Sequence, residues 1–489
     1  MTNLPLYSFL ALPSDILILI LHELVVVHDL ASLSRTCRFF HALVNEFGWA
    51  GYQRCNPRPS LTLSKSRKTW SHMVRVKYDV LTDTAWSQSE FIARPLSGSW
   101  AGKEQPLLAI SPSRLVIAAG SNLDSYIFGV STNGDAPPIK LEGSCSLSIN
   151  HSGREYSRCI TALTFIPDGG LDVTLCVGFQ DGAFERIVLA GSSKRQGSAT
   201  LRVHRSSGQL PQLRTKDLLE SLSSSSNLLL SLSSGGVATL MDIGVPSPSP
   251  STIDLQARSW ASHLCIRSSS PYAAFGTSSA TPLTIHSITN DRLSQTPSAI
   301  LRQEDSINNG SAVYDICEGP PSSPWGSSPQ VVVSGWYSGA VSIHDLRSSS
   351  RSSAPHPSAL RPVLTLVDPW SNEPIYSVSC GGGAGSHVAA GSARHSLVSF
   401  WDVRSPLAGF SLHAPFNDPS PVYAVLLESS RLFGVTQSRP FVLDFGPGTT
   451  KATYPHLGHS SKGFTHLDQR GSDGLGYYVT KYWHRSSSI

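Results

Sequence analysis

From about residue 96 onward the chain repeats itself. Small and β-branched residues lead into Gly or Ser, a turn follows, and a short alternating strand ends on an aliphatic or aromatic residue, often beside Asp. Two copies are clear: Val331-Val332-Val333-Ser334-Gly335-Trp336-Tyr337-Ser338-Gly339 through Ile343-His344-Asp345-Leu346-Arg347, and Val388-Ala389-Ala390-Gly391-Ser392 through Phe400-Trp401-Asp402-Val403-Arg404. Weaker copies run from Leu115 to Val130, Leu175 to Leu189, Leu228 to Ile243, Tyr272 to Ile288 and Arg431 to Phe445. Their ends fall at 130, 189, 243, 288, 346, 403 and 445, so the steps are 42 to 59 residues. Ile160-Thr161-Ala162-Leu163, Val313-Tyr314-Asp315-Ile316, Ile375-Tyr376-Ser377-Val378 and Val422-Tyr423-Ala424-Val425 precede copies and read as innermost strands. A unit repeated at this period cannot cover its own apolar face and has to stack on its neighbours.

A pair of β-sandwiches leaves the recurring turn and terminal residues unexplained. The repeat resembles the WD-repeat family, with Trp401-Asp402 the one literal Trp-Asp signature and His344-Asp345, Met241-Asp242 and Leu443-Asp444 degenerate versions. Most copies lack the family's His and turn Asp; Asp181-Gly182 is the best survivor. The resemblance implies a mainly β fold, a seven-bladed WD-type β-propeller over residues 96–489. Such blades need roughly 40–45 residues, which leaves the surplus to surface insertions. Closure into a ring protects strand edges, and glycines permit the tight turns. The run Tyr477-Tyr478-Val479 to Trp483 is expected to close the ring by pairing near Trp86–Ile92 or Leu107–Ile110. Serine-rich stretches at Ser221 to Ser226, Ser247 to Ser251 and Ser348 to Ser353 read as mobile loops.

The first fifty residues follow a different period. Ser14 or Asp15 is placed to cap a helix whose residues Ile16, Leu17, Ile20, Leu21 and Leu24 share one face, while Ile18 and Leu19 make the other side apolar too. Asp29 restarts a second helix with Leu30, Leu33 and Cys37 inward, and a third runs through Phe39, Phe40, Leu43, Val44 and Phe47 to Trp49. Three short helices cannot bury this much apolar surface among themselves, so a partner or the rest of the chain has to cover the excess.

The anchors Leu12-Pro13-Ser14-Asp15-Ile16-Leu17, Ile20, Leu24, Asp29-Leu30, Leu33, Arg35-Thr36-Cys37-Arg38-Phe39-Phe40, Leu43 and Trp49 resemble an F-box, over about a tenth of the chain. The Val25-Val26-Val27-His28 linker is more apolar than the family's usual one. The resemblance implies a small all-α three-helix module at 8–52, joined through a partly helical connector at 53–95. It also implies docking of a Skp-type adaptor, and through it cullin and RING subunits. Leu12, Pro13, Ile16, Leu17, Ile20 and Leu30 would face the adaptor, with Leu24, Leu33, Phe40, Leu43 and Trp49 stabilising the bundle.

Composition narrows the rest. A net charge of +4 over 489 residues, with only the short run Lys65-Ser66-Arg67-Lys68, gives no nucleic-acid face. The eight cysteines include no Cys-x-x-Cys pair and mostly sit in apolar runs, the pattern of buried free thiols in a reducing compartment, cytoplasmic or nuclear. Ile16 to Val27 is too short to span a bilayer and lacks the flanks of a leader. His22-Glu23 is not followed by a second His at zincin spacing, and Gly381-Gly382-Gly383-Ala384-Gly385 lacks a P-loop's Lys and reads as a hairpin turn. No catalytic, cofactor or metal constellation emerges. The expectation is a non-catalytic substrate receptor, with a propeller scaffold outside ubiquitination as the alternative. If the narrow face of the propeller binds a target protein, the residues before the turn between second and third strands line it: Gln180, Tyr337 and Arg394, with Trp336 nearby. An Arg cluster there would suit a phosphorylated target, and Arg394 is the single candidate.

Overall fold

The computed structural model describes residues 12–151, 154–195, 198–206, 217–245, 249–303, 311–322, 327–348, 359–416, 419–457 and 475–485. Parts of the serine-rich stretches Ser247 to Ser251 and Ser348 to Ser353 lie outside them. Six helices come first: α1 (Ser14–Glu23), α2 (Val27–Ser34), α3 (Arg38–Leu43), α4 (Trp49–Cys55), α5 (Ser64–Thr69) and α6 (His72–Gln88). A π-turn, Val44–Gly48, fuses α3 to α4, so the expected third helix is longer and bent. Pro13, rather than Ser14 or Asp15, sits at the cap of α1, and no side chain caps that helix; Asp15 instead lies in its first turn, where its charge suits the dipole. Leu17, Leu21, Leu30, Phe40, Leu43, Val44 and Trp49 fill one core, completed by Val76 from α6. Part of the excess apolar surface of the bundle is thus covered by the connector. No helix among the described residues is long and apolar enough to cross a membrane.

Seven blades of four antiparallel strands follow. Their first strands are Leu107–Ile110, Ile160–Phe165, Leu219–Ser225, Arg258–Cys265, Ser311–Glu318, Ile375–Gly381 and Val422–Leu427. Each touches the first strand of the next blade, and the seventh touches the first, which closes a ring. Every gap between blades holds one apolar cluster, such as Val116, Val177 and Leu189 between blades 1 and 2, or Val332, Trp336 and Ile285 between blades 4 and 5. Blade-to-blade burial is therefore the main apolar core, as the repeat requires.

Closure differs from expectation. The outer strand of blade 7 is Ile92–Pro95, paired with Pro440–Asp444 in the register Ile92↔Asp444. The propeller thus begins inside the segment assigned to the connector. The tail strand Lys481–Trp483 does not close the ring; it adds a fifth strand to blade 6, opposite Phe410 and Leu412. Either end supplies an edge strand, and the sequence carries no mark of which edge each will find.

The recurring residues acquire physical reasons. In four of the seven blades the third strand ends in an Asp that accepts the backbone N–H two residues on: Asp242 from Gly244, Asp345 from Arg347, Asp402 from Arg404 and Asp444 from Gly446, at 2.8–3.0 Å. That is an Asx turn, which leads into the fourth strand in blades 3, 5 and 6 but not in blade 7, whose fourth strand is Ile92–Pro95. The Gly within five of the second strands (Gly178, Gly276, Gly335, Gly391 and Gly434) is not a turn residue. A Cβ at Gly335 would meet Ile375 of the next blade at 2.7 Å, and one at Gly391 would meet Val422 at 2.7 Å. Glycine here lets neighbouring first strands approach.

The serines of Ser221 to Ser225 belong to a first strand rather than a loop. Ser221 pairs with Ser262 at 2.9 Å, Ser223 accepts from the Leu264 N–H, and Ser224 donates to the Phe165 carbonyl. Short hydroxyls bridge adjacent first strands where larger side chains would collide.

All eight cysteines are free; Cys176 and Cys265 are buried, whereas Cys55 and Cys159 are exposed.

Candidate partner-binding surfaces

Two surfaces stand out, at opposite ends of the molecule. The first lies on α1. Leu12, Pro13, Ile16 and Leu19 are exposed, Ile16 by 43% and Leu19 by 61%, and Ile20 is half-buried. Val25, Val26 and Phe39 of the same bundle are also exposed. Leu17 and Leu30, expected to face a partner, are instead 1% and 0% exposed within the core of the bundle. The helical period explains the exchange: Leu17 and Leu21 share the inward face, while Leu12, Ile16 and Leu19 follow the outward one. Leu19, expected on the second side of the helix, thus shares the outward face with Leu12 and Ile16. Leu24 and Leu33 pack partly buried around the core, and Phe40, Leu43 and Trp49 lie within it, as expected.

The bundle is fixed to the ring by α5 and α6. Val76 is in the bundle core, and three turns later Trp86 lies flat on Phe445 at 3.7 Å between ring centroids. Trp86 also donates to the Ser429 carbonyl, and its ring covers Gly382 and Gly383, where a Cβ would come within 3.0 Å of it. The glycine-rich hairpin, with Gly382 at φ 63° and Gly385 at φ 78°, is the seat of this indole. Tyr78 donates to Ser430, Trp70 to the Ser131 carbonyl, and Arg58 makes a two-bonded pair with Asp83 at 2.7–2.8 Å. Glu428 accepts from Ser60 and from the Thr62 backbone and side chain. Burial pushes its carboxyl upward, with those bonds opposing. All these contacts are at the end of the ring holding the turns between first and second and between third and fourth strands.

The second surface is the other mouth of the ring, where first strands begin and where the turns between second and third strands lie. In six blades the pairing of first and second strands slips by one residue near its start, and the residue bulged out is Thr161, Glu220, Trp260, Tyr314, Tyr376 or Tyr423. A bulge frees one side chain from the alternation of the strand. The last four are aromatic and touch in series: Trp260–Tyr314 at 5.1 Å, Tyr314–Tyr376 at 5.2 Å and Tyr376–Tyr423 at 5.9 Å. They form a continuous half-buried wall over blades 4 to 7. Arg258 lies over the Trp260 ring at 4.1 Å and pairs with Glu220 at 2.9 Å. Tyr314, Tyr376 and Tyr423 stand in innermost-strand signatures that were legible, but their convergence was not.

Of the residues expected to line this mouth, Gln180, Tyr337 and Arg394 are exposed at its rim. Tyr337 reaches the wall through Tyr314, at 6.4 Å, whereas Arg394 is paired with Glu373 at 3.6 Å. Trp336 is not at the surface. It is 1% exposed in the cluster between blades 4 and 5 and donates to Ser334 at 2.9 Å. As the last residue of its strand it points into the gap, and Tyr337 takes the exposed position.

One buried cluster carries the residue types of a hydrolase. Ser411 Oγ lies 2.8 Å from His484 Nε2 and donates to Asp368 Oδ2 at 2.6 Å. A nucleophile–base relay needs the carboxylate on the other ring nitrogen. Here Asp368 faces the same Nε2, Nδ1 has no partner, and Ser411 is fully buried. With Tyr482 also donating to Asp368 at 2.7 Å, the cluster staples the tail to blades 5 and 6. Among the described residues no group of three or more His, Cys, Asp or Glu is arranged to hold a metal ion.

Residues 9–50 match the F-box-like family. No curated protein matches the chain. Among solved structures, Chaetomium thermophilum Sqt1 bound to the N-terminus of the ribosomal protein L10 is similar at 13% identity and a TM-score of 0.45, over 68% of this chain and 81% of that one. The chain thus carries an N-terminal F-box-like domain followed by a β-rich propeller region.

Proposed function

We propose that this chain is the substrate-recognition subunit of an SCF-type cullin–RING ubiquitin ligase. The F-box-like bundle binds the Skp-type adaptor, which recruits cullin and RING subunits, and the mouth of the propeller holds a target protein. The chain itself is non-catalytic; its contribution is proximity, raising the local concentration of target lysines. One observation carries the reading: the domain that matches the F-box-like family exposes an apolar stripe at Leu12, Pro13, Ile16 and Leu19 although its own core is complete. Apolar surface left contiguous after folding marks an interaction site. The rigid strut of α6 and its contacts at the far end of the ring support a receptor that keeps adaptor and target apart. An intracellular setting, cytoplasmic or nuclear, belongs to the same proposal and is supported by eight free cysteines.

Capture of the adaptor tests it. Immobilised full-length chain should retain purified Skp-type adaptor, and Leu12→Ala/Pro13→Ala and Leu19→Glu should each abolish retention without lowering the melting temperature. A folded wild type that retains no adaptor would sink this reading and leave a propeller scaffold outside ubiquitination.

A further inference from the structure

The seam between blades 5 and 6 is bridged by sulfur where other seams are bridged by hydroxyls. We infer that Cys317 and Cys380 are a reversible oxidation site, a thiol pair that a peroxide closes into a disulfide joining the two blades.

The ring itself sets this contact. In first strands that carry a bulge, the side chain three residues past it points at the next blade and meets the residue four past the bulge there. Between blades 2 and 3, Thr164 Oγ1 lies 3.3 Å from Ser224 Oγ. Between blades 3 and 4, Ser223 accepts from the Leu264 N–H at 3.1 Å, and between blades 6 and 7, Ser379 accepts from the Leu427 N–H at 2.9 Å. At the seam of blades 5 and 6 the same two places hold Cys317 and Cys380, with their sulfurs 3.7 Å apart. They are the one pair of thiols in contact among the described residues. Beside them Asp315 accepts from the Val378 N–H at 2.8 Å and fixes the two strands relative to each other. A disulfide has its sulfurs about 2.05 Å apart, so they have to approach by about 1.7 Å. Two side chains already facing each other across adjacent strands can share that shift.

The peroxide supplies the oxidising equivalent. The Cys380 sulfur attacks one peroxide oxygen, the O–O bond breaks, and the thiol proton leaves with the other oxygen as water, giving a sulfenic acid. The Cys317 sulfur then displaces the sulfenic oxygen, which takes the Cys317 proton and leaves as a second water. Two thiols have given two electrons and two protons to one peroxide. The order follows from the contact: the hydrogen bond with Cys380, and then burial, push the Cys317 thiol up, so Cys317 keeps its proton until the second step. Both residues are half-buried, so the pair stays reduced in a reducing compartment and closes under sustained oxidant. The link joins positions 63 residues apart, which restricts the unfolded chain and favours the folded one. Cys380 also leads directly into Gly381, Gly382 and Gly383, the hairpin that seats Trp86, so the link forms beside the joint between α6 and the ring.

Peptide mapping of the full-length chain decides it. The chain is reduced, freed of reductant, treated with hydrogen peroxide, alkylated and digested without reducing agent. The dominant linked peptide should join Cys317 to Cys380, two hydrogens lighter than its separate halves, and dithiothreitol should release it. The oxidised chain should unfold at a higher urea concentration than the reduced one. Cys317→Ser and Cys380→Ser place at this seam the hydroxyl found at Thr164 and Ser224, so both should fold and show no peroxide-dependent rise. Recovery of Cys317 and Cys380 as alkylated thiols, at a peroxide dose that oxidises the exposed Cys55 and Cys159, overturns the inference. So does a rise in urea midpoint that persists in Cys380→Ser, or a linked chain that unfolds no later than the reduced one.

Discussion

Arg431 and Asp444 form an ion pair at 3.1 Å in which neither side chain is exposed to solvent. They stand on adjacent strands of blade 7, directly opposite in register. Arg431 also donates to the Pro137 carbonyl at 2.7 Å, and Tyr454 donates to the same carboxylate. Burial pushes the Arg431 guanidinium down, and the Asp444 charge together with Tyr454 and Tyr78 overcomes that and raises it. The pair ties blade 7 to the turn of blade 1, beside the seat of α6. Removing one partner strands the other charge, so Arg431→Met should cost about 3–5 kcal/mol by urea denaturation. Arg431→Met/Asp444→Leu should recover most of that. A double variant no more stable than the single would show that the pair is not the reason for the loss.

Trp86 joins helix to ring, and its truncation should act at both levels. Trp86→Ala removes a buried indole stacked on Phe445 and should cost about 3–5 kcal/mol. It should also make the connector before Trp86 newly sensitive to limited proteolysis, while blades 2 to 4 remain resistant. Uniform loss of resistance would argue that α6 is part of the ring's own stability.

Acid should release the tail. The Asp368 carboxyl is held down at about 2, because bonds from His484, Ser411, the Trp370 N–H and Tyr482 overcome the upward push of burial. A native pKa below the unfolded value of roughly 3.9 gives stability that is complete above that value and lost as pH falls. Between about pH 4 and 2, cleavage near Lys481–Trp483 should therefore rise steeply. Asp368→Asn should flatten that dependence and, at pH 7, cost on the order of 1–2 kcal/mol. An unchanged acid profile in the variant would assign the release to another group.

Gly335→Ala tests close approach between blades. Its Cβ would sit 2.7 Å from the Ile375 Cγ2, so overpacking should cost about 1–3 kcal/mol. Gly335→Ala/Ile375→Leu, which removes the Cγ2 branch, makes space and should recover part of the loss in thermal melts. Full tolerance of the single change would mean that the two strands can separate without cost.

The blade period, the innermost-strand signatures and the F-box anchors could be read from the chain because each is local. A Gly in a second strand, an Asp ending a third and an aliphatic face on α1 impose their conformations within a few residues. Their purposes were less legible. Gly335 is small for Ile375 of another blade, and Ser221 to Ser225 form a strand because Ser262, Leu264 and Phe165 stand beside them.

By itself, then, the sequence determined a repeated four-stranded unit and a short helical module with more apolar surface than it can bury. Only the tertiary structure decided that Ile92–Pro95 closes the ring while Lys481–Trp483 thickens blade 6, since strand pairing is made by backbone groups that every residue carries. It alone turned Leu17 and Leu30 inward, left Leu19 outside, and buried Trp336. It also brought Trp260, Tyr314, Tyr376 and Tyr423 into one wall, because a ring makes neighbours of residues some fifty positions apart and a bulge aims each side chain at the same mouth.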